Sequence, residues 1–513
     1  MSETSRPTSR LVCVIRPTRR AGVWVVSVAT LLTLAGCARR SDPAPVAVAS
    51  PPAAPVVADE PTAAPPAKAP RTQASTPAVQ TPPSTAPATE PALTAEQREL
   101  NLASFDMVWE TIRDRHFDPT YNGVDWNAVR ETYRPRVEAA ATMDDAREAM
   151  NEAISELKQS HFGVIPSNVY ADMTPRDGAD SIDEPATQPG REGTFGIEPA
   201  VIDGQLVVRR VAPGSPADQA GIRPGWIVTS VNDKPVAGAF QRIGEAFEGK
   251  PLRAEALHRA AEAALGRRVG TTVPVELLNA QDAPVRVELT AVPKSERMAG
   301  FGNLPPMPLR LESRRLTGDV GYIHLSLWMD PGYVIPEIRK AIDGFADTRG
   351  IIIDVRGNPG GIGVMAMGVG NYFVTDNQHK LGTMITRDNR LNFVLQPQPT
   401  AYTRPLAILI DERSMSTSEI FAGGMKDIGR ARIIGTPTPG AALPSIVSRL
   451  PNGDGFQYAF ANYVSAGGQV LEGDGVPPDQ VVALDRASLL AGSDPVIDAA
   501  VQWIASQSNN DSN

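Results

Sequence analysis

The chain has 513 residues and a net charge of −9, more than one ordinary domain holds, so about three folded units are expected. The acidic balance, without any basic block, excludes a surface built for nucleic acid. Its two cysteines, Cys13 and Cys37, both lie near the N-terminus, which leaves the rest of the chain without a disulfide or a cysteine-based metal site.

In chain order, Arg16, Arg19 and Arg20 precede an uncharged, mostly apolar run of 16 residues from Ala21 to Gly36. That is short for a bilayer-spanning helix, which needs about 20, and it fits an export signal. Residues 41–94 hold 14 Pro and 15 Ala and no aromatic residue. Such a stretch buries too little apolar surface to offset its ordering entropy, and its prolines favour extended conformations. Residues 38–94 are therefore read as a tether.

Thr94 and Gln97 form a capping box for a helix to about Arg115. Its Leu102, Phe105, Val108, Trp109 and Ile112 make one apolar stripe. Further helices are expected over Trp126–Ala141 and Met143–Leu157, giving a helical unit over 95–170 that contains Ser160-His161-Phe162-Gly163. Residues 171–192 are polar and rich in Gly and Pro, a loop. Strand-like Gln205–Val211 and the turns around Gly214 and Gly225 come next, with a helical insertion at 239–268. From Gly318 the pattern is α/β: strands at Val320–Leu325, Gly350–Val355, Leu406–Ile410 and Arg432–Gly435, with a helix over Pro336–Phe345. Strands alternating with helices argue for a mainly parallel layer.

Two loops stand at the ends of buried strands. One is Asn358-Pro359-Gly360-Gly361, where paired glycines let backbone approach a substrate. The other is Ser414-Met415-Ser416-Thr417-Ser418-Glu419, between a strand and a helix. A helix cap alone would explain serines there. The same place also suits a nucleophile, because free N–H groups at a helix start can hold an oxyanion.

Three resemblances sharpen this reading. Leu34-Ala35-Gly36-Cys37 resembles the lipobox of bacterial lipoproteins, which implies that residues 1–37 are a lipoprotein signal, that Cys37 is acylated, and that the chain is held at the bacterial envelope facing the periplasm. Ala38 after it points to the outer rather than the inner membrane. Residues 193–293 resemble a PDZ domain, a β-sandwich or barrel in which Thr194, Phe195, Gly196 and Ile197 would receive the C-terminal tail of a protein or peptide substrate.

Residues 95–505 resemble the C-terminal processing (tail-specific) serine peptidases, through Asp354-Val355-Arg356-Gly357-Asn358-Pro359-Gly360-Gly361, the serine loop, Gly435-Thr436-Pro437-Thr438-Pro439-Gly440 and Glu472-Gly473-Asp474-Gly475-Val476-Pro477-Pro478-Asp479. The resemblance implies a multidomain α+β protein with a ClpP/crotonase-like α/β peptidase core over 315–505. It makes Ser416 the nucleophile, with Gly360, Gly361 and Thr417 as oxyanion donors and no metal or cofactor. One departure matters: the lysine usual after the Thr-x-Gly turn is Ala441 here, and Ser445 replaces a glutamine. Lys426 is about three helical turns from Ser416 and is no substitute. The tricorn-like branch uses a histidine instead, and His161, alone among five histidines, falls in a matching motif. Glu472 matches that branch's orienting carboxylate, with Asp474 and Glu419 as rivals, and Ser160 as a possible assistant. A histidine base implies an acid limb near pH 6.5. A catalytically inactive, peptide-binding scaffold is the alternative that Ala441 raises.

Overall fold

The computed structural model describes residues 92–167, 192–250, 252–304 and 306–510. The export signal, Cys37 and the tether up to residue 91 lie outside them, as do residues 168–170 and nearly all of the loop expected at 171–192.

The capping box forms as the sequence requires: Gln97 N–H donates to Thr94 Oγ1 at 3.2 Å and Thr94 N–H to Gln97 Oε1 at 2.9 Å, starting α1 (Ala95–Arg115). Helices α2 (Trp126–Ala139) and α3 (Met143–Ser155) follow. Their apolar faces do not close on one another alone. Phe105, Trp109, Ile112, Met150 and Ile154 share one buried cluster with Leu450, Phe456 and Tyr458. Those three belong to a distant hairpin, β12 (Ser445–Arg449) and β13 (Gly455–Ala459). Strand β1 (Gly163–Ile165) pairs antiparallel with β13, and Arg147 clamps the fully buried Asp454 at 3.0 Å. The loop between α3 and β1, which carries His161, is thereby fixed to the peptidase-like region.

The PDZ-like region is an antiparallel sheet in the order β2 (Ile197–Ile202), β3 (Gln205–Val211), β4 (Ile227–Val231), β5 (Thr272–Leu278) and β6 (Pro284–Thr290). The expected insertion is two helices, α4 (Ala237–Ala246) and α5 (Arg253–Leu265). Leu257, Ala261 and Leu265 of α5 enter the core with Phe195, Leu206 and Val275. Strand β2 is an edge of this sheet, with α5 packed beside it.

The third region is a six-stranded sheet in the order β7 (Leu311–Leu316), β8 (Val320–Leu325), β9 (Gly350–Asp354), β10 (Leu406–Ile410), β11 (Arg432–Gly435) and β14 (Gln480–Val481). It is parallel from β8 to β14, with β7 antiparallel at one edge. Alternation along the strands decides which layer each residue serves. Ile351, Ile353, Ile408 and Ile410 pack under α6 (Pro331–Gly344), α7 (Val364–Gly370) and α8 (Thr417–Asp427). Ile352, Ala407, Leu409 and Ile434 face α9 (Pro495–Asn510) on the other side. Helix α6 begins five residues before the expected Pro336. Asp330 caps it by accepting Tyr333 N–H at 3.3 Å, and Pro331 occupies the first turn, where proline costs nothing. Pro336 sits inside the helix and forgoes one backbone bond.

Candidate active site

Strand β10 is buried throughout and ends where the serine loop begins. Two of its serines are structural. Ser414 Oγ donates to Val355 O at 2.8 Å, and Ser418 Oγ donates to Asn358 O at 3.0 Å while accepting Trp328 Nε1–H at 2.9 Å. Ser416, between them, has φ 55° and ψ −115° at the N-cap of α8. A side chain there is strained, and strain of this kind persists only where surrounding bonds impose it. Here Ser416 N–H donates to Ala441 O at 2.8 Å and to Glu419 Oε2 at 2.9 Å. The half-buried Ser416 side chain faces Glu419 N–H in a capping box and has no side-chain partner among the described residues.

Gly360 has φ 103°, and a Cβ on it would come within 2.6 Å of Ser416 Cβ. Only glycine lets the two backbones approach so closely. Its own N–H is used, donating to Asn358 Oδ1 at 2.9 Å. This corrects the expectation that Gly360 is a free oxyanion donor. The N–H groups of Gly361 and Thr417 have no partner among the described residues, and Thr417 Oγ1 donates to Gly361 O at 3.0 Å, holding the two together.

His161 lies in the α3–β1 loop with φ 60°. Its Nδ1 is 2.7 Å from Ser160 Oγ, and Ser160 Oγ donates to Glu472 Oε2 at 2.8 Å. A carboxylate only accepts, so the Ser160 proton points to Glu472 and Ser160 Oγ must accept from His161 Nδ1–H. Nε2 is then left with its lone pair. Glu472 therefore reaches His161 through Ser160, the residue expected to assist. Glu472 also accepts Ser160 N–H at 2.6 Å and Ala442 N–H at 3.1 Å. Burial raises its pKa against those three donors. Protein crowds the imidazole on most sides although it keeps an open edge. Burial lowers its pKa to about 4, which moves an acid limb set by His161 below the expected pH 6.5.

No hydrogen bond joins His161 to Ser416 among the described residues. They are connected through consecutive residues: Ala441 O holds Ser416 N–H, and Ala442 N–H holds Glu472. Gly473 N–H donates to Gly440 O at 2.8 Å, interlocking the 436–441 turn with the Glu472 loop. Of the rivals to Glu472, Asp474 is exposed and Glu419 serves Ser416 N–H and the turn. Lys426 is tied to Asp479 at 3.2 Å and to Pro477 O. Ser445 Oγ accepts from Gln457 Nε2 at 2.9 Å.

In the PDZ-like region, Thr194-Phe195-Gly196-Ile197 leads into the edge strand β2. Phe195 is buried, Gly196 N–H donates to Thr194 Oγ1 at 2.9 Å, and the Phe195 N–H has no partner among the described residues. A contact that the sequence did not suggest joins this region to the serine loop. Arg413, just before the serines, donates to Glu255 Oε2 on α5 at 3.1 Å, and both side chains are largely buried.

Comparison with known proteins agrees with this geometry. Residues 319–482 match Peptidase family S41, 101–155 the tricorn protease C1 domain, and 207–251 a PDZ domain. A carboxyl-terminal-processing protease of Synechocystis sp. is 24% identical over 392 residues, covering 75% of this chain and 81% of that protein. Tricorn protease homolog 1 of Streptomyces coelicolor is 26% identical over 433 residues, covering 79% of this chain. The chain spans only 35% of that relative's length. The crystal structure of mature CPAF superposes with a TM-score of 0.53 at 15% identity, over 80% of this chain and 97% of that one, a likeness of fold. The fold and these matches define a serine-type peptidase. Within that class, the three family matches and the carboxyl-terminal-processing relatives support a C-terminal processing peptidase with a PDZ domain.

Proposed function

We propose that the chain is an envelope endopeptidase that cleaves proteins or peptides with Ser416, His161 and Glu472 in place of a serine–lysine pair. The observation that carries this is the direction of the Ser160 hydrogen bonds, which leaves a bare Nε2 on His161. Ser416 Oγ attacks the peptide carbonyl and its proton passes to that nitrogen. The imidazolium that forms donates from Nδ1 to Ser160, which in turn donates to Glu472. The Thr417 and Gly361 N–H groups, with the N-terminal end of α8 behind them, take the developing oxyanion. His161 Nε2–H then protonates the leaving amine. The same nitrogen next removes a proton from water, which attacks the acyl ester and releases Ser416.

Substrate tails would add to the edge of β2 beside α5, with the chain terminus at Thr194 to Ile197. The Glu255–Arg413 pair is the physical route by which occupancy of that groove would reach the serine loop. Lipid attachment at Cys37 and a periplasm-facing position at the outer membrane complete the proposal and rest on the sequence resemblance alone. A Cys37→Ser chain released from membranes would support them, and one that stays membrane-bound would refute them.

Cleavage of a test peptide by wild type, Ser416→Ala and His161→Ala tests the chemistry. Loss of turnover in both variants is expected. Unchanged cleavage by Ser416→Ala refutes the assignment, and an inert wild type would favour the scaffold reading that Ala441 raises.

A further inference from the structure

Glu419 is a fully buried carboxyl with no place in the His161–Ser160–Glu472 relay. Four donors converge on it. Oε1 accepts Thr438 Oγ1–H at 2.7 Å and Gly440 N–H at 2.8 Å. Oε2 accepts Ala441 N–H at 3.0 Å and Ser416 N–H at 2.9 Å. Three are backbone amides, which only donate, so the arrangement is complete only when the carboxyl is ionised. A proton on Glu419 has one partner able to turn round and accept it, the Thr438 hydroxyl. That hydroxyl already accepts Val476 N–H at 2.7 Å. Protonation therefore disturbs the turn whose Ala441 carbonyl holds Ser416 in its strained conformation.

We propose that ionised Glu419 is the positioning group that fixes Ser416 against the 438–441 turn, and that its protonation, rather than that of His161, sets the acid limb of activity. The proposal rests on the reading of Ser416 as nucleophile. The titratable groups around Glu419 include Glu472 and Asp474 behind Gly440, His161 beyond Glu472, Asp411 and Arg413 on the loop before α8, and Lys380, Tyr463 and Arg432 on the strands packed against α8. None of them is hydrogen-bonded to the Glu419 carboxyl. Burial, opposed by the Thr438 hydroxyl and the three amides, pushes its pKa up to about 7. The direction follows: the working form is the ionised one, so activity is full above that value and falls as pH drops through it.

The test is the pH profile of kcat and KM for peptide cleavage by the full chain, in wild type, Glu419→Gln and Thr438→Val, with circular dichroism to confirm folding. Glu419 does not touch substrate, so the effects fall on kcat. Wild type is expected to show an acid midpoint near 7. Thr438→Val removes a donor that favours the ionised form, so its midpoint moves upward. Glu419→Gln presents an amide N–H₂ to backbone donors, so kcat falls about 10²-fold. Its remaining activity no longer titrates near neutrality and stays flat to about pH 5. Thr438→Val retains the carboxylate and the side-chain shape, so it decides the matter even where Glu419→Gln fails to fold. A wild-type midpoint in Thr438→Val, or in folded Glu419→Gln, overturns the proposal. Cleavage surviving in Ser416→Ala would instead overturn the nucleophile assignment beneath it.

Discussion

Replacing Ser160 with alanine isolates the link between His161 and Glu472. The hydroxyl makes two short contacts, 2.7 Å to His161 Nδ1 and 2.8 Å to Glu472 Oε2. Glu472 keeps Ser160 N–H and Ala442 N–H, so the loop stays in place when the hydroxyl is removed. What is lost is the acceptor for Nδ1–H at the moment the imidazole becomes charged. A hydrogen bond to a charged group is worth about 1.5–3 kcal/mol, and about 1.4 kcal/mol is tenfold in rate. The expected fall in kcat is therefore about 10- to 150-fold. KM should hold, because no part of Ser160 is assigned to substrate. Steady-state cleavage by wild type, Ser160→Ala and Ser160→Thr measures this, and Ser160→Thr should restore much of the rate by restoring the hydroxyl. A kcat for Ser160→Ala within about twofold of wild type would refute the relay.

Three further outcomes follow from individual contacts. Gly360→Ala should lose about 10²-fold or more in kcat, since the new Cβ would lie 2.6 Å from Ser416 Cβ; wild-type kinetics would show that this approach is not required. Asp354 is fully buried, held by Arg356 and Tyr322 Oη–H, and the adjacent Arg356 guanidinium keeps its carboxyl well below the usual range. Asp354→Ala should cost about 1.5–3 kcal/mol by urea unfolding, because Tyr322 loses its buried acceptor and the buried Arg356 guanidinium keeps only Asp494; a loss under about 1 kcal/mol would contradict this. Glu255→Ala should change kcat/KM more for substrates with a free C-terminal tail than for short blocked peptides; equal changes would disconnect α5 from the serine loop.

The parts of the fold carried by local pattern were legible. Thr94 and Gln97 marked the start of α1, and the apolar runs at Val320, Leu406 and Arg432 marked strands at the observed residues. Helix α6 was misplaced because Pro336 reads as a start, although the Asp330–Pro331 pair had already supplied one. The site was legible only as far as motifs reach. They singled out Ser416, His161 and Glu472 as candidates, but Ser160 lies between the last two in space while 312 residues separate it from Glu472 in the chain. Side-chain pairing at that distance leaves no periodicity to read. The same holds for Asn358 taking the Gly360 N–H and for Arg413 reaching Glu255. Glu419 read as a rival to Glu472, and nothing local showed that Thr438, Gly440 and Ala441 converge on its carboxyl. The N-terminal helices read as a separate unit because their stripe is self-consistent. Their shared core with Leu450, Phe456 and Tyr458 depends on the hairpin's position in three dimensions.

The central claim is that Ser416 is a nucleophile activated by His161. Labelling with a fluorophosphonate probe tests it most directly, because the probe reacts only with an activated serine. Wild type should become labelled at Ser416, Ser416→Ala should take up none, and His161→Ala should label far more slowly. An unreactive wild type would make the chain a peptide-binding scaffold, and labelling of His161→Ala at the wild-type rate would remove His161 from the mechanism.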